Sequence, residues 1–173
     1  LFGRVSFAQS TAPFPQLVSL HWVPSSLGDP WPRWRFGVDY VGNNRWAYGL
    51  DIGWGNAQLN GFQLEDMDLS PKYSLIEVRP ELKYLLGRRP RRAFYTATEL
   101  FFIKNIDQLE NAHYYPRGSD YAVTFDFADM HRTKVGAHLK LGVKLIALKR
   151  FDFDIYWGIG AARRQIDYNN VVN

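Results

Sequence analysis

The chain has 173 residues and no cysteine, which suits one domain and removes disulfides and thiolate metal sites. Aromatic residues make up 16%, high for an ordinary soluble domain, yet no run of about 18 apolar residues occurs, which excludes a transmembrane helix but not a transmembrane β-barrel. A net charge of +4 would suit nucleic acid, but the basic residues alternate along strands or sit in turns, so no nucleic-acid binding is expected.

Residues 1–16 read as a leader or the end of a signal peptide, with Ser6 and Ala8 in a small-x-small arrangement before Gln9. A strand is expected over Leu17 to Val23, with Val18, Leu20 and Trp22 opposite Ser19 and His21. Three prolines make Pro24 to Pro32 a loop. Arg33 to Val41 follows as a strand, Trp34, Phe36, Val38 and Tyr40 facing away from Arg33, Arg35, Gly37 and Asp39. After the turn Gly42-Asn43-Asn44, Arg45 to Ala57 alternates most cleanly. Trp46, Tyr48, Leu50, Ile52 and Trp54 form one face, and Arg45, Ala47, Gly49, Asp51 and Gly53 the other.

A longer polar connection leads to Tyr73 to Leu86, where Ile76, Val78, Leu82 and Tyr84 oppose Glu77, Arg79, Glu81 and Lys83. Pro80 falls on the apolar face, where a bulge is expected. Beyond the turn GRRPRR, Ala93 to Asp107 is the fifth strand, its alternation broken by Phe101, Ile103 and Lys104. Asn111 to Asp120 reads as a loop. Tyr121 to Leu145 keeps one parity on either side of an interruption at Asp129-Met130-His131 and reads as a single long strand extending beyond a membrane. Phe151 to Arg163 is the seventh strand, and Asp167 to Asn173 a loop.

Connections after the second, fourth and sixth strands are short, and those after the first, third and fifth are long. Short turns at one end and long loops at the other mark an outer-membrane barrel. The expected fold is all-β: an antiparallel up-and-down transmembrane β-barrel over 17–173, eight strands with seven visible. Such barrels need an even strand number, so the eighth strand is expected beyond Asn173.

The inward set is then Arg33, Arg35, Asp39, Arg45, Asp51, Glu77, Arg79, Glu81, Lys83, Glu99, Lys134, His138, Lys140, Lys144, Asp152 and Asp154, with glycines between to make room. Both signs occur, so a buried ion-pair network fills the lumen. Trp22, Trp34, Trp46, Trp54, Tyr84 and Trp157 are placed for membrane-interface belts. Ser19 and His21 share a face two residues apart, which brings a nucleophile and a base into reach, as a lipid A-modifying enzyme would require. Asp152 and Asp154 are expected to pair with Lys140 or Lys144 rather than hold a cation. No metal and no cofactor are expected.

The stretch IEVRPELKYLL (76–86), the following FYTATELFF, GVDYVGNNRWAYGLDIGWG and IYWGIGAA resemble the small OmpA-like eight-stranded barrels. Over 17–168 the chain is similar to an uncharacterised outer-membrane protein family from Bacteroidetes-type bacteria. It departs from that pattern at Lys83, where arginine is usual, and in lacking a final strand with its terminal aromatic. The resemblance implies fold and outer-membrane location, and carries over no catalytic residue.

The expected function is a non-enzymatic integral protein of a Gram-negative outer membrane, a structural protein or accessory subunit. Its expected partners are outer-membrane lipid, lipopolysaccharide and a larger outer-membrane complex. The alternatives are the lipid A-modifying enzyme and a soluble lipocalin-like binder, the latter requiring an apolar interior and a polar exterior.

Overall fold

Side chains alternate between two faces along each strand, so a period of two in sequence becomes two chemically distinct faces of one sheet. The structure, a computed structural model, describes residues 2–8, 17–42, 45–62, 70–89, 92–114, 122–148 and 151–172. Its antiparallel strands are β1 (Phe2–Ala8), β2 (Leu17–Trp22), β3 (Trp34–Val41), β4 (Trp46–Asn56), β5 (Ser74–Arg89), β6 (Arg92–Tyr114), β7 (Val123–Leu148) and β8 (Phe151–Val172). Each pairs with the next in an up-and-down order, and β1 pairs with β8 as well as with β2. Two 3-10 turns, Pro24–Leu27 and Ala57–Phe62, complete the elements. Among the described residues no helix is long and apolar enough to cross a membrane.

Strands β2 to β7 follow the expected alternation, and β8 does so as far as Tyr156, beyond which residues 157–165 are all exposed. Of the strand expected over Tyr121 to Leu145, Val123 onward is one strand, β7, and Tyr121 lies outside the described residues. Four boundaries and one position differ from the sequence reading. Phe2–Ala8, assigned there to a leader, forms β1, so the strand expected beyond Asn173 lies at the other end of the chain. It pairs with Ser19 to Trp22 of β2 and with Phe151 to Tyr156 of β8. β8 runs to Val172 instead of ending at Arg163, because the polar segment continues the ladder with β7. β6 likewise continues past Asp107 to Tyr114. β5 runs on from Leu86 to Arg89, so the expected turn GRRPRR shortens to residues 90–91. Pro80 causes no bulge: Val78 opposite Phe102 and Glu81 opposite Glu99 keep one register on either side of it. The bulge comes instead at Leu86, between Leu85 opposite Tyr95 and Gly87 opposite Phe94.

Connections of four, two and two residues (42–45, 90–91, 149–150) lie at one end, and of eleven, seventeen and eight (23–33, 57–73, 115–122) at the other. The eight residues after β1 are the exception, falling at the short-turn end. Strand lengths are unequal: β2 to β4 have 6, 8 and 11 residues, whereas β6 to β8 have 23, 26 and 22. The long strands therefore project past the short ones at the long-loop end. There the loops pack under the projection. Ser70 Oγ donates to Asp107 (2.6 Å), the Gln108 amide donates to Ser70 Oγ (3.0 Å), and Tyr73 hydroxyl donates to the Pro32 carbonyl (3.0 Å).

The two faces separate sharply. Outer positions such as Leu50, Ile52, Leu100, Phe102, Val135, Leu139, Leu141 and Phe153 are exposed and apolar, giving way to Lys104, Thr133 and Arg163 where the projection begins. Inner positions of β2 to β7 are mostly buried or half-buried, and charged side chains recur among them. The interior is layered. A small apolar cluster of Val41, Ala47, Leu85, Ala93, Tyr95, Ala97 and Tyr156 sits toward the short turns. A second, of Tyr73, Leu75, Phe101 and Ile103 with Trp31 and Ala57, sits toward the long loops. The charges lie between.

Candidate functional site

The inner face brings its charges together because strands far apart in the order reach one another across the interior. Lys83 on β5 donates to Asp154 on β8 (3.3 Å) and to Asp39 on β3 (3.0 Å), and lies 3.2 Å from Glu81. Tyr95 on β6 donates to the other oxygen of Asp154 (2.6 Å). Lys144 on β7 lies 3.8 Å from Asp39. Such contacts require a tightly curled sheet, not a flat one.

Glu81 and Glu99 stand directly opposite on neighbouring strands, an arrangement that repels unless a cation intervenes. Lys140 is that cation, donating to Glu81 (2.9 Å) and to Glu99. Arg79 joins Glu99 (2.7 Å) to Glu77, and Arg33 joins Glu77 to Asp29 (2.9 Å). His138 Nδ1 is 3.0 Å from Glu99. Arg35 approaches Asp51 (3.5 Å), which also holds His21 Nε2 at 2.7 Å. This connected set has seven carboxylates and six Lys or Arg among the described residues, so it is close to self-neutralising.

Glycine supplies the room. Gly37 faces Asp51, Gly49 lies between Asp39 and Glu81, Gly53 between Arg35 and Glu77, and Gly142 between Tyr95 and Tyr156. A Cβ on Gly37 would stand 2.3 Å from Asp51 Oδ1 and 2.4 Å from His21 Nε2, inside their hydrogen bond. Gly37→Ala is therefore expected to cost about 1–3 kcal/mol, as overpacking of a filled interior does, read as a lower urea midpoint with unchanged slope.

Most of the inward set expected from sequence belongs to this array, with three departures. Arg45 is exposed, because it lies in the turn one residue before β4 begins. Lys134 is on the inner face but exposed at the mouth, away from the carboxylates. Asp152 takes its place in β8 opposite Ser6 and Ile146, but its side chain lies outside the described residues. Asp154 reaches across to Lys83 and Tyr95 rather than along the ladder to Lys140 or Lys144 as expected.

Ser19 and His21 are both buried on the inner face. Each is committed elsewhere: Lys144 donates to Ser19 Oγ (3.3 Å), and His21 lies between Asp51 and Asp39, 3.9 Å from the latter. Neither lines the interior cavity. That cavity, about 700 Å³, sits above the ion-pair array at the long-loop end. Sequence reasoning missed three members of its wall: Trp31, Arg132 and Arg164.

The six girdle candidates occupy the outer face at two levels. Trp22, Trp34 and Trp54 gather at the long-loop end, with rings of Trp22 and Trp34 6.0 Å apart and Phe36 stacked 5.6 Å from Trp54. Trp46 meets Tyr84 edge-on (4.9 Å) at the short-turn end, and Trp157, opposite Leu141, lies on the same row of paired residues.

Comparison of the chain with known protein families, curated proteins and solved structures finds no match. The functional reading therefore stands on the geometry of the two faces. A charged, self-neutralising interior can hold a fold rigid and block a pore.

Proposed function

We propose that the chain is an integral outer-membrane β-barrel of a Gram-negative bacterium, closed through β1 and β8, and a non-enzymatic structural protein or accessory subunit of a larger complex. One observation carries the reading: the faces are inverted relative to a water-soluble sandwich. Leu20, Leu139, Trp157 and Ile159 are 61–66% exposed, while Glu77 and Asp154 are 0% exposed. In water this would leave a large apolar surface uncovered and the charges hidden. In lipid both are favourable, since every backbone group of a closed barrel is paired internally.

The dimensions agree. Trp46 and Trp54 bracket nine residues of β4, and roughly 9–11 residues of a strand tilted about 45° cross a bilayer. Aromatic residues at both ends of that span suit the two lipid–water interfaces. Short turns then face the periplasm, and the long loops with the β6–β8 projection face outward among lipopolysaccharide. The OmpA-like resemblance fits this reading. A lipocalin-like binder requires the opposite distribution of polarity. The lipid A-modifying alternative needs Ser19 and His21 to meet a substrate, whereas both are buried against other partners.

The test is extraction and gel mobility. The full chain should remain with the membrane after salt and alkaline washes, leave it only with detergent, and migrate faster unheated than boiled. Solubility without detergent, with no heat-dependent mobility, overturns the reading.

A further inference from the structure

The wall of the interior cavity carries seven Lys or Arg against two carboxylates, Asp29 and Glu99. Four of those cations, Arg33, Arg35, Arg79 and Lys140, are already held by carboxylates of the ion-pair array. Arg132, Lys134 and Arg164 have no carboxylate partner among the described residues. Lys134 and Arg164 stand directly opposite each other in the β7–β8 register, both on the inner face. Like charges in that relation destabilise a sheet. Arg132 follows two residues away on the same face, its guanidinium 3.3 Å over the Trp31 ring. Burial, and then Arg164, pulls Arg132 down to about 10. Burial, and then Arg79 and Arg132, lowers Lys134. Three cations thus line one space with no carboxylate in ion-pair contact among the described residues, Asp107 acting on Arg132 only from a distance.

The space is also accessible. Gly158 and Ala162 line it from β8 and are exposed, beyond the last described β1–β8 pair, Phe2 opposite Tyr156. A volume of about 700 Å³ falls in the range of small-molecule sites and far exceeds a bare ion. Guanidinium groups match the planar oxygen pairs of a phosphate, and three cations suit a dianion better than a single carboxylate. Trp31 completes the cavity wall with one face of its ring covered by the Arg132 guanidinium, which holds that cation at the cavity.

We propose that this cavity binds a phosphate monoester, its phosphate held by Arg132, Lys134 and Arg164. Two sources carry that chemistry, a free sugar phosphate and the phosphorylated headgroup of a glycolipid. The site depends on the inner face alone, not on the membrane reading.

The experiment is a binding titration on the full chain folded in polyoxyethylene-detergent micelles, or in plain buffer should it prove soluble, so the two proposals fail separately. Glucose 6-phosphate should bind saturably, read by calorimetry and tryptophan fluorescence, and glucose should not. The Lys134→Gln, Arg164→Gln double variant should weaken binding about tenfold or more, the loss expected for charge-assisted hydrogen bonds. A second arm uses micelles doped with a monophosphorylated diglucosamine lipid and with its dephosphorylated form. Binding only in the phosphorylated micelles, lost in the same variant, assigns the site to the lipid source. Lys134→Glu guards against misfolding: it should abolish binding while raising the thermal midpoint without ligand, by turning the repulsion with Arg164 into a pair. If neither phosphate probe binds saturably, or if the double variant binds as tightly as the native chain, the proposal is overturned.

Discussion

Replacing Glu99 by glutamine is expected to destabilise the protein by about 3 kcal/mol, the lower part of the roughly 3–5 kcal/mol found when one partner of a buried ion pair is removed. Glu99 is 1% exposed and receives three groups: Arg79 (2.7 Å), His138 (3.0 Å) and Lys140. Glutamine keeps the shape but turns one acceptor oxygen into an amide donor, which then faces a donor. The loss stays at the lower end for two reasons. Arg79 retains Glu77 and Lys140 retains Glu81, so neither cation is left wholly unpaired. The substitution also relieves the direct opposition of Glu99 and Glu81. Urea unfolding at constant detergent measures the effect, with Glu110→Gln on the exposed projection as a control expected within about 0.5 kcal/mol of the native chain. A Glu99→Gln variant as stable as that control would show that the array does not hold the fold together.

The strands carrying this array were legible because period two is written directly in the chain: Trp46 to Trp54 against Ala47 to Gly55 needs no tertiary information. β1 was not legible for the opposite reason. Gly3, Val5 and Phe7 alternate with Arg4 and Ser6 over only seven residues, and Ser6 and Ala8 imitate a processing site. What settles β1 is its pairing with both β2 and β8, a property of the assembled sheet. The polar tail of β8 was lost in a similar way, since backbone pairing with β7 asks nothing of side-chain polarity. Membership of the interior followed from parity, but partners did not. Lys83 meets Asp154 because the sheet curls, and 71 positions separate them in sequence. Arg132 and Arg164 were within reach of the same rule. Extending the parity of Lys134 and Gly136 back two residues gives Arg132, and extending Asp154, Tyr156, Gly158, Gly160 and Ala162 forward gives Arg164. Reading 129–131 as an interruption and ending the last strand at Arg163 concealed both.

The outer face gives the most discriminating substitution. Leu139→Arg should cost about 2–4 kcal/mol if the band meets lipid, the depth-dependent penalty for a cation at mid-bilayer on a barrel exterior. Leu139 lies in the middle of the apolar stretch of β7, Val135 to Leu145, and is 61% exposed, so it contributes little packing within the chain. In water the same change at an exposed position would alter stability by no more than about 0.5 kcal/mol and would improve solubility. The two environments therefore predict different magnitudes from a single side chain that the fold barely uses. Gln165→Arg is the matched control: it is also outward and exposed on the neighbouring strand, but beyond the band, where the penalty falls to about 0–1 kcal/mol. The measurement is the folded fraction against urea in lipid vesicles, read as heat-dependent gel mobility, with the native chain and both variants in parallel. A clear loss at Leu139 and none at Gln165 is the expected pattern, since only a surrounding that excludes water can distinguish two exposed positions by their height alone.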